Sequence, residues 1–354
     1  MSFTALCRGA LITLFILLAG PVRAERVDGL FEADVPVEAQ DDASRRAAVR
    51  SGLETVFVKL TGSRRALENP VLVASLSEAD RYLLQFSYKS AEALPARDGT
   101  RPRALLHVNF QPASVEDLLR RAGEPILPAT RPVTLLWLVI DDGVERRMLA
   151  REAEPDIVQW LLFAAAQRGM PLGFPLLDLE DTLSVSTDQL WAMDAAAVSE
   201  ASARYGADSV LLGRIVRLST GEWIGEWRHL LVDQSLSLDA RAPDVAGLSE
   251  QLLDRLAEAI AERYGIVPSL ESAVGVSVTV SGIDSVSAFR QVSDLLARLA
   301  SVRDLRVRRL EGDRVAFELF TDTEPAGLAQ EITLLPQLRP AGAEDAFSYR
   351  WAGN

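Results

Sequence analysis

Apolar residues recur along the chain in two rhythms, helical and alternating, and the points where one gives way to the other predict its elements. Val27 to Val37 alternates loosely and predicts a strand. After Asp41-Asp42, the residues Val49, Leu53, Val56, Phe57 and Leu60 form one helical stripe, with aspartate available as a cap and Thr61-Gly62 as the stop. Alternation returns near Tyr82–Tyr88 and Leu105–Phe110, a second strand pair, followed by a helix from Ser114 to Arg121. Gly123-Glu124-Pro125, Pro128 and Arg131-Pro132 then read as a linker.

The middle of the chain opens on Val133–Ile140, a near-continuous apolar run of the kind buried on both faces of a sheet. Helices are expected over Glu154–Arg168 and Ala195–Tyr205. Gly206-Ala207-Asp208 turns into a strand over Ser209–Leu218, and Trp223–Asp233 is its antiparallel partner. Asp244 to Tyr264 carries Leu248, Leu252, Leu256 and Ile260 at helical spacing and stops at Gly265. In the last segment Val274, Val276, Val278 and Val280 alternate, and Asp284 or Ser285 caps a helix bearing Phe289, Val292, Leu296 and Leu299. Two strands follow around Leu305–Val307 and Val315–Leu319, turning at Glu311-Gly312-Asp313, then a helix near Leu328–Leu335 and a strand over Ala346–Trp351. The expected fold class is α+β / α/β and multi-domain. Residues 25–130 form an α+β domain, 131–269 an α/β sandwich, and 270–354 a ferredoxin-like βαββαβ domain.

Length agrees with that division, since 354 residues exceed what one core organises. The first residues change the picture of the compartment. Arg8, the apolar run Ala10–Ala19, the break Gly20-Pro21 and the small residues of Val22-Arg23-Ala24 match a secretory leader cleaved after Ala24, at residues 1–24. The run is too short for a membrane anchor, so a periplasmic protein without a transmembrane anchor is expected. The single Cys7 leaves with the leader, which removes disulfide and thiolate chemistry. Loss of Arg8 and Arg23 moves the formal charge from −13 to −15, of which −10 falls in residues 131–269. That acidity argues against nucleic-acid partners. It also makes the middle segment, which with the C-terminal segment holds all six Trp, a candidate partner-binding face.

Catalytic groups are scarce. His107 and His229 both sit inside strand-like runs and read as strand-face histidines. Lys59 and Lys89 are the only lysines, and neither has the sequence context of a Schiff-base or Ser-Lys site. No zinc-protease, phosphate-loop, dinucleotide or nucleophile-elbow motif occurs. Asp141-Asp142 follow the buried strand, where open α/β sheets bind ligands. They suit a Mg²⁺ or acid/base pair, but also an ordinary Asp-Asp-Gly turn. Asp178, Glu180 and Asp181 form a second acidic knot, expected as a solvated loop or weak Ca²⁺ site. Arg45, Arg46 and Arg50 on the first helix, and Arg303, Arg306, Arg308 and Arg309 on one strand, suit polyanion contacts such as lipid headgroups or cell-wall acids, or else a solubilised surface. No residue is assigned a catalytic, cofactor-binding or metal role, and no cofactor is expected.

The run R-R-A-x-x-R-x-G-L-x-x-V-x-V-K-L-T-G (Arg45 to Gly62), with Tyr82–Tyr88 and R-P-V-T-L-L-W-L (Arg131 to Leu138), resembles the domain-of-unknown-function family 2066 of proteobacterial exported proteins. That family has no assigned activity, so no residue inherits a role from it. Ala203 to Ile215 (A-R-Y-G-A-D-S-V-L-L-G-R-I) is similar to the α/β domains of the TolB N-terminus and CsgG, which work through protein contacts in the envelope. The resemblances imply an exported, non-enzymatic cell-envelope accessory or interaction module with envelope protein partners. The alternatives are a metal-assisted hydrolase using Asp141 and Asp142, or a binder of cell-wall or lipid polyanions.

Overall fold

The structure, a computed structural model, describes residues 24–92, 94, 96–97, 101–207, 209–231, 234–267, 274–321, 323–341 and 347–353. Residues 1–23 of the expected leader, with Cys7 and Arg8, lie outside the described residues, as do Asp208, Asp233, the 269/270 boundary and Ala346. The fold is α+β and multi-domain. Among the described residues three larger sheets, each with helices against it, build separate apolar cores.

In the first, strands Glu32–Val37 and Leu83–Lys89 flank Ala104–Phe110 in an antiparallel sheet. Leu106, Val108 and Phe110 bury one face against the helix Asp42–Thr61, whose Val49, Leu53, Val56 and Phe57 are fully buried. Asp41 caps that helix by accepting from the Ser44 amide at 2.8 Å. The expected strand Val27–Val37 is strand only over Glu32–Val37. Gly29 turns the chain at φ +67°, and residues Ala24–Arg26 pair instead with Thr130–Pro132.

The middle sheet runs 234–242, 223–231, 209–217, 134–141 and 146–148, with 172–173 added beside 134–135. Strand Thr134–Asp141 is apolar throughout because both faces are covered. Leu136, Leu138 and Ile140 meet the helices Pro155–Arg168 and Val245–Tyr264. Leu135, Trp137 and Val139 meet the short helices between residues 179 and 202. Trp227, on strand 223–231 of the same sheet, lies over two glycines. A Cβ on Gly225 would fall 1.8 Å from its ring, and one on Gly213 would fall 2.1 Å away.

The third sheet orders its strands 302–311, 314–321, 274–281, 348–351 and 338–340. Five of the six expected elements, from Val274 to Thr333, follow the ferredoxin-like order. The end departs from it: Ser348–Trp351 runs parallel to Val274–Ser281, and Leu338–Pro340 pairs antiparallel on its outer side. A three-residue strand containing a proline carries too little alternation to be read, yet it reverses the direction of the strand after it.

The presumed linker is the joint. Arg131 is 1% exposed, and its guanidinium donates to the carbonyls of Pro128 (3.0 Å), Arg168 (3.1 Å), Gly169 (2.9 Å) and Lys59 (2.7 Å). Three of those carbonyls, Lys59, Arg168 and Gly169, belong to the ends of two helices, where no intrahelical donor remains. Burial pushes its pKa down to about 9, so the group stays charged near neutrality.

Arg131→Met removes every one of those donors and leaves buried carbonyls unpaired. We expect a loss of about 3 kcal/mol in urea unfolding. Gly225→Ala should cost about 2 kcal/mol by displacing Trp227, whereas Gly173→Ala, with nothing nearer than 3.8 Å, should change stability by less than about 0.5 kcal/mol in the same assay.

Candidate functional site

Strand periodicity puts Glu32 and Asp34 on one face of their strand, and His107 and Asn109 opposite them on the next. The pairs touch: Asn109 Nδ2 donates to Glu32 Oε1 at 3.1 Å, and His107 Nδ1 lies 2.7 Å from Asp34 Oδ1. Lys89 Nζ stands 2.9 Å from the same Nδ1 and 3.3 Å from Asp34 Oδ1. One ring nitrogen has one hydrogen-bonding direction. Carrying a proton it donates to Asp34; bare, it accepts from Lys89. Glu32 Oε2 faces Nε2 at 3.6 Å.

This polar ladder forms one wall of a cleft of about 500 Å³, closed opposite by Ala166 and residues 169–172 after the helix Pro155–Arg168. Lys59 reaches the cleft from the helix Asp42–Thr61. Its Nζ donates to the carbonyls of Glu32 (2.8 Å) and Gly29 (3.4 Å). Burial lowers its pKa to about 8; the charges of Asp34 and Glu32 oppose the shift, and that of Arg131 adds to it. Both lysines of the chain therefore meet in one cleft that sequence reading did not assemble. The available signal was the polar alternation His107-x-Asn109 against the apolar Leu106-x-Val108-x-Phe110.

The candidates read from sequence lie elsewhere. Asp141 accepts from the Gly143 amide at 3.0 Å and from Arg146 at 3.4 Å. Asp142 accepts from the amides of Val144 and Glu145 and from Arg147 at 2.7 Å, which holds its pKa down at about 2. Their oxygens are engaged in the turn and its arginines. Among the described residues no group of three His, Cys, Asp or Glu is placed to hold a metal. The acidic knot is not the expected solvated loop. Asp178 caps a helix over Leu179–Ser184, and Asp181 is buried, because Arg204 grips Asp178 through two 2.8 Å bonds and reaches Asp181 at 3.1 Å.

Arg45 pairs with Asp80 and Asp42, and Arg50 with Glu54, while Arg46 is exposed. Arg306, Arg308 and Arg309 bridge to Asp304, Glu318 and Glu311 on or beside an edge strand with two irregularities; Arg303 sits on the same strand. His229 is fully buried, its Nε2 2.7 Å from Ser209 Oγ, which is 2.9 Å from Thr134 Oγ1. Among the described residues its Nδ1 has no hydrogen-bond partner.

The knot has an outward consequence. Leu177 occupies the left-handed region at φ +51°, costly for a leucine. Asp181 holds it there through the Leu177 amide at 2.8 Å, while the Tyr205 hydroxyl accepts from the Leu176 amide at 2.9 Å and donates to Asp181 at 2.5 Å. Leu177 packs inward and Leu176 is turned out. Leu176, Leu179 and Leu183 are 71%, 74% and 78% exposed; Leu179 and Leu183 lie four residues apart on one face of the short helix, and Leu176 precedes its cap, the three forming an exposed leucine ridge in sequence.

Residues 24–128 match the family described as Domain of unknown function (DUF8605), which includes the three strands and the helix of the polar ladder. No curated protein matches the chain. Among the described residues no helix is long and apolar enough to cross a membrane.

Burial depresses the pKa of His229 to about 4, so the folded protein keeps it neutral while the unfolded chain takes up a proton below about 6.5. The stability this contributes is complete above pH 6.5 and is lost as pH falls toward 4. Wild type should lose roughly 3 kcal/mol more over that window than His229→Gln in urea unfolding measured at each pH.

Proposed function

We propose that the chain is an exported periplasmic protein acting as a non-enzymatic interaction module of the cell envelope, and that it docks an envelope protein through the ridge Leu176–Leu179–Leu183. The observation that carries this reading is the exposure of Leu176, Leu179 and Leu183 around Leu177, whose left-handed backbone is held by a hydrogen bond from its amide to Asp181. A soluble surface has no need to turn leucine outward at such a cost. Asp178 and Glu180 beside the ridge are paired with Arg204, so the surface that fits it is apolar.

Several features support the reading. The leader pattern of residues 1–24 precedes the stretch similar to a domain of unknown function. The likeness to family 2066 points to exported proteins. The likeness of Ala203–Ile215 to the TolB and CsgG domains falls on the residues that hold the ridge, Arg204 and Tyr205. Docking is favoured over metal-assisted hydrolysis because Asp141 and Asp142 are engaged by Arg146, Arg147 and turn amides.

A photo-crosslinking residue placed at Leu179 in cells should give a reproducible adduct with an envelope protein. Leu176→Glu with Leu183→Glu should abolish the adduct without changing the melting temperature, since both side chains are exposed. No adduct from the wild-type ridge would refute docking there. Export is checked separately: the protein purified from the periplasm should begin at Glu25, and an intact Met1 in the cytoplasm would refute it.

A further inference from the structure

We propose that Lys59 is a reactive amine and that the cleft around it captures small aldehydes and ketones as imines. The inference is independent of docking at the leucine ridge and reverses the sequence-based expectation that neither lysine has a Schiff-base context.

The geometry suits a neutral amine. An ammonium has three N–H donors, whereas an amine has two and a lone pair. Lys59 Nζ has two carbonyl acceptors, Glu32 O and Gly29 O. With both N–H groups used there, an amine keeps its lone pair free of those carbonyls, and the side chain that carries it lines the cleft. Lys59 is 9% exposed, and that desolvation is the usual way a lysine becomes a nucleophile near neutrality. The charged groups around it are mixed. Glu32 and Asp34 favour the ammonium, Arg131 opposes it, and Lys89, His107 and Arg26 line the same cleft. Burial outweighs them, and about 8 is the resulting pKa.

The step balances without an oxidant or reductant. The Nζ lone pair forms a bond to the carbonyl carbon as the C=O π pair moves to oxygen. One amine proton passes to that oxygen, and the hydroxyl then departs as water with a proton taken from solvent through the cleft's acid/base groups, while the second N–H stays on nitrogen as C=N forms. Asp34 and His107, hydrogen-bonded to each other beside the amine, are the groups placed to carry those protons. The protonated imine keeps one N–H, enough for the shorter bond to Glu32 O, and its positive charge faces Glu32 and Asp34. A cleft of about 500 Å³ has ample room for a small carbonyl compound beside the amine.

The chain supplies its own control, because Lys89 is its only other lysine and its side chain is 47% exposed. The full-length mature protein would be treated with acetaldehyde and cyanoborohydride at pH 7.5, and ethylated lysines located by tandem mass spectrometry. At that pH roughly a quarter of an amine of pKa 8 is neutral, against about a thousandth of an ordinary lysine. Lys59 should therefore label at least about tenfold faster than Lys89 despite its burial, with a rate half-maximal near pH 8. Lys59→Arg should remove the fast phase and leave Lys89 labelling unchanged. A purely structural cation would be protected, so labelling of Lys59 no faster than Lys89 overturns the proposal. If Lys59→Arg does not fold, the comparison of the two lysines in wild type decides alone.

Discussion

The arginine at position 131 is the contact on which the arrangement depends. Two helices, Asp42–Thr61 and Pro155–Arg168, end close together, and each leaves carbonyls that its own backbone cannot satisfy. A guanidinium has five donors in a planar fork and can serve all four of these acceptors at once; an ammonium has only three donors. Arg131 joins Lys59 O on one helix to Arg168 O and Gly169 O at the end of the other, with Pro128 O between. A buried charge without those acceptors would be untenable. With them, the three-stranded sheet is fixed against the middle sheet, and residues of both line the cleft. Gln167 donating to Asp34 O at 3.0 Å, and the mutual backbone pairing of Ile126 and Ile266, tie the same seam.

The joint also sets the chemistry on each side of it. Lys59 is a side chain on one of the two clamped helix ends, so its amine is drawn into the seam and desolvated. The carboxylates outside the cleft are handled differently, by arginine and backbone amides. Arg147 holds Asp142 and Glu154, and Arg204 holds the Asp178–Asp181 knot. Charge-assisted pairs of this kind order loops. Around Asp181 the order extends to a left-handed leucine, and that is what makes an exposed apolar ridge out of an acidic loop.

Elements with long, uniform periodicity were legible. The helix Val245–Tyr264, its Asp244 cap, and the strand Thr134–Asp141 emerge within a residue or two of where the pattern put them, because each buries a continuous stripe or both faces. Strands 234–242 and 146–148 were missed, as were the helices Pro70–Leu76, 179–184 and 187–191. Such pieces are edge strands with polar positions or helices too short for two turns of stripe. Arg131-Pro132 looked like a linker because proline and charge usually mark exposed chain; only the facing helix ends make that site a buried one. The cleft was illegible for a different reason. Glu32, Lys59, Lys89 and His107 lie on four elements, and single-sequence spacing says nothing about contacts across a sheet.

The sequence by itself determined the division of apolar stripes into layers, the uneven acidity, the leader pattern, and the poverty of catalytic residue types, since these depend on composition and local periodicity. Which polar residues share a dry space was decided only by tertiary structure. A lysine becomes a desolvated amine, an aspartate a buried brace and a leucine an exposed ridge through the neighbours that folding brings within hydrogen-bonding distance. Those neighbours are tens of residues away along the chain: Lys59 meets Arg131, and Asp181 meets Arg204.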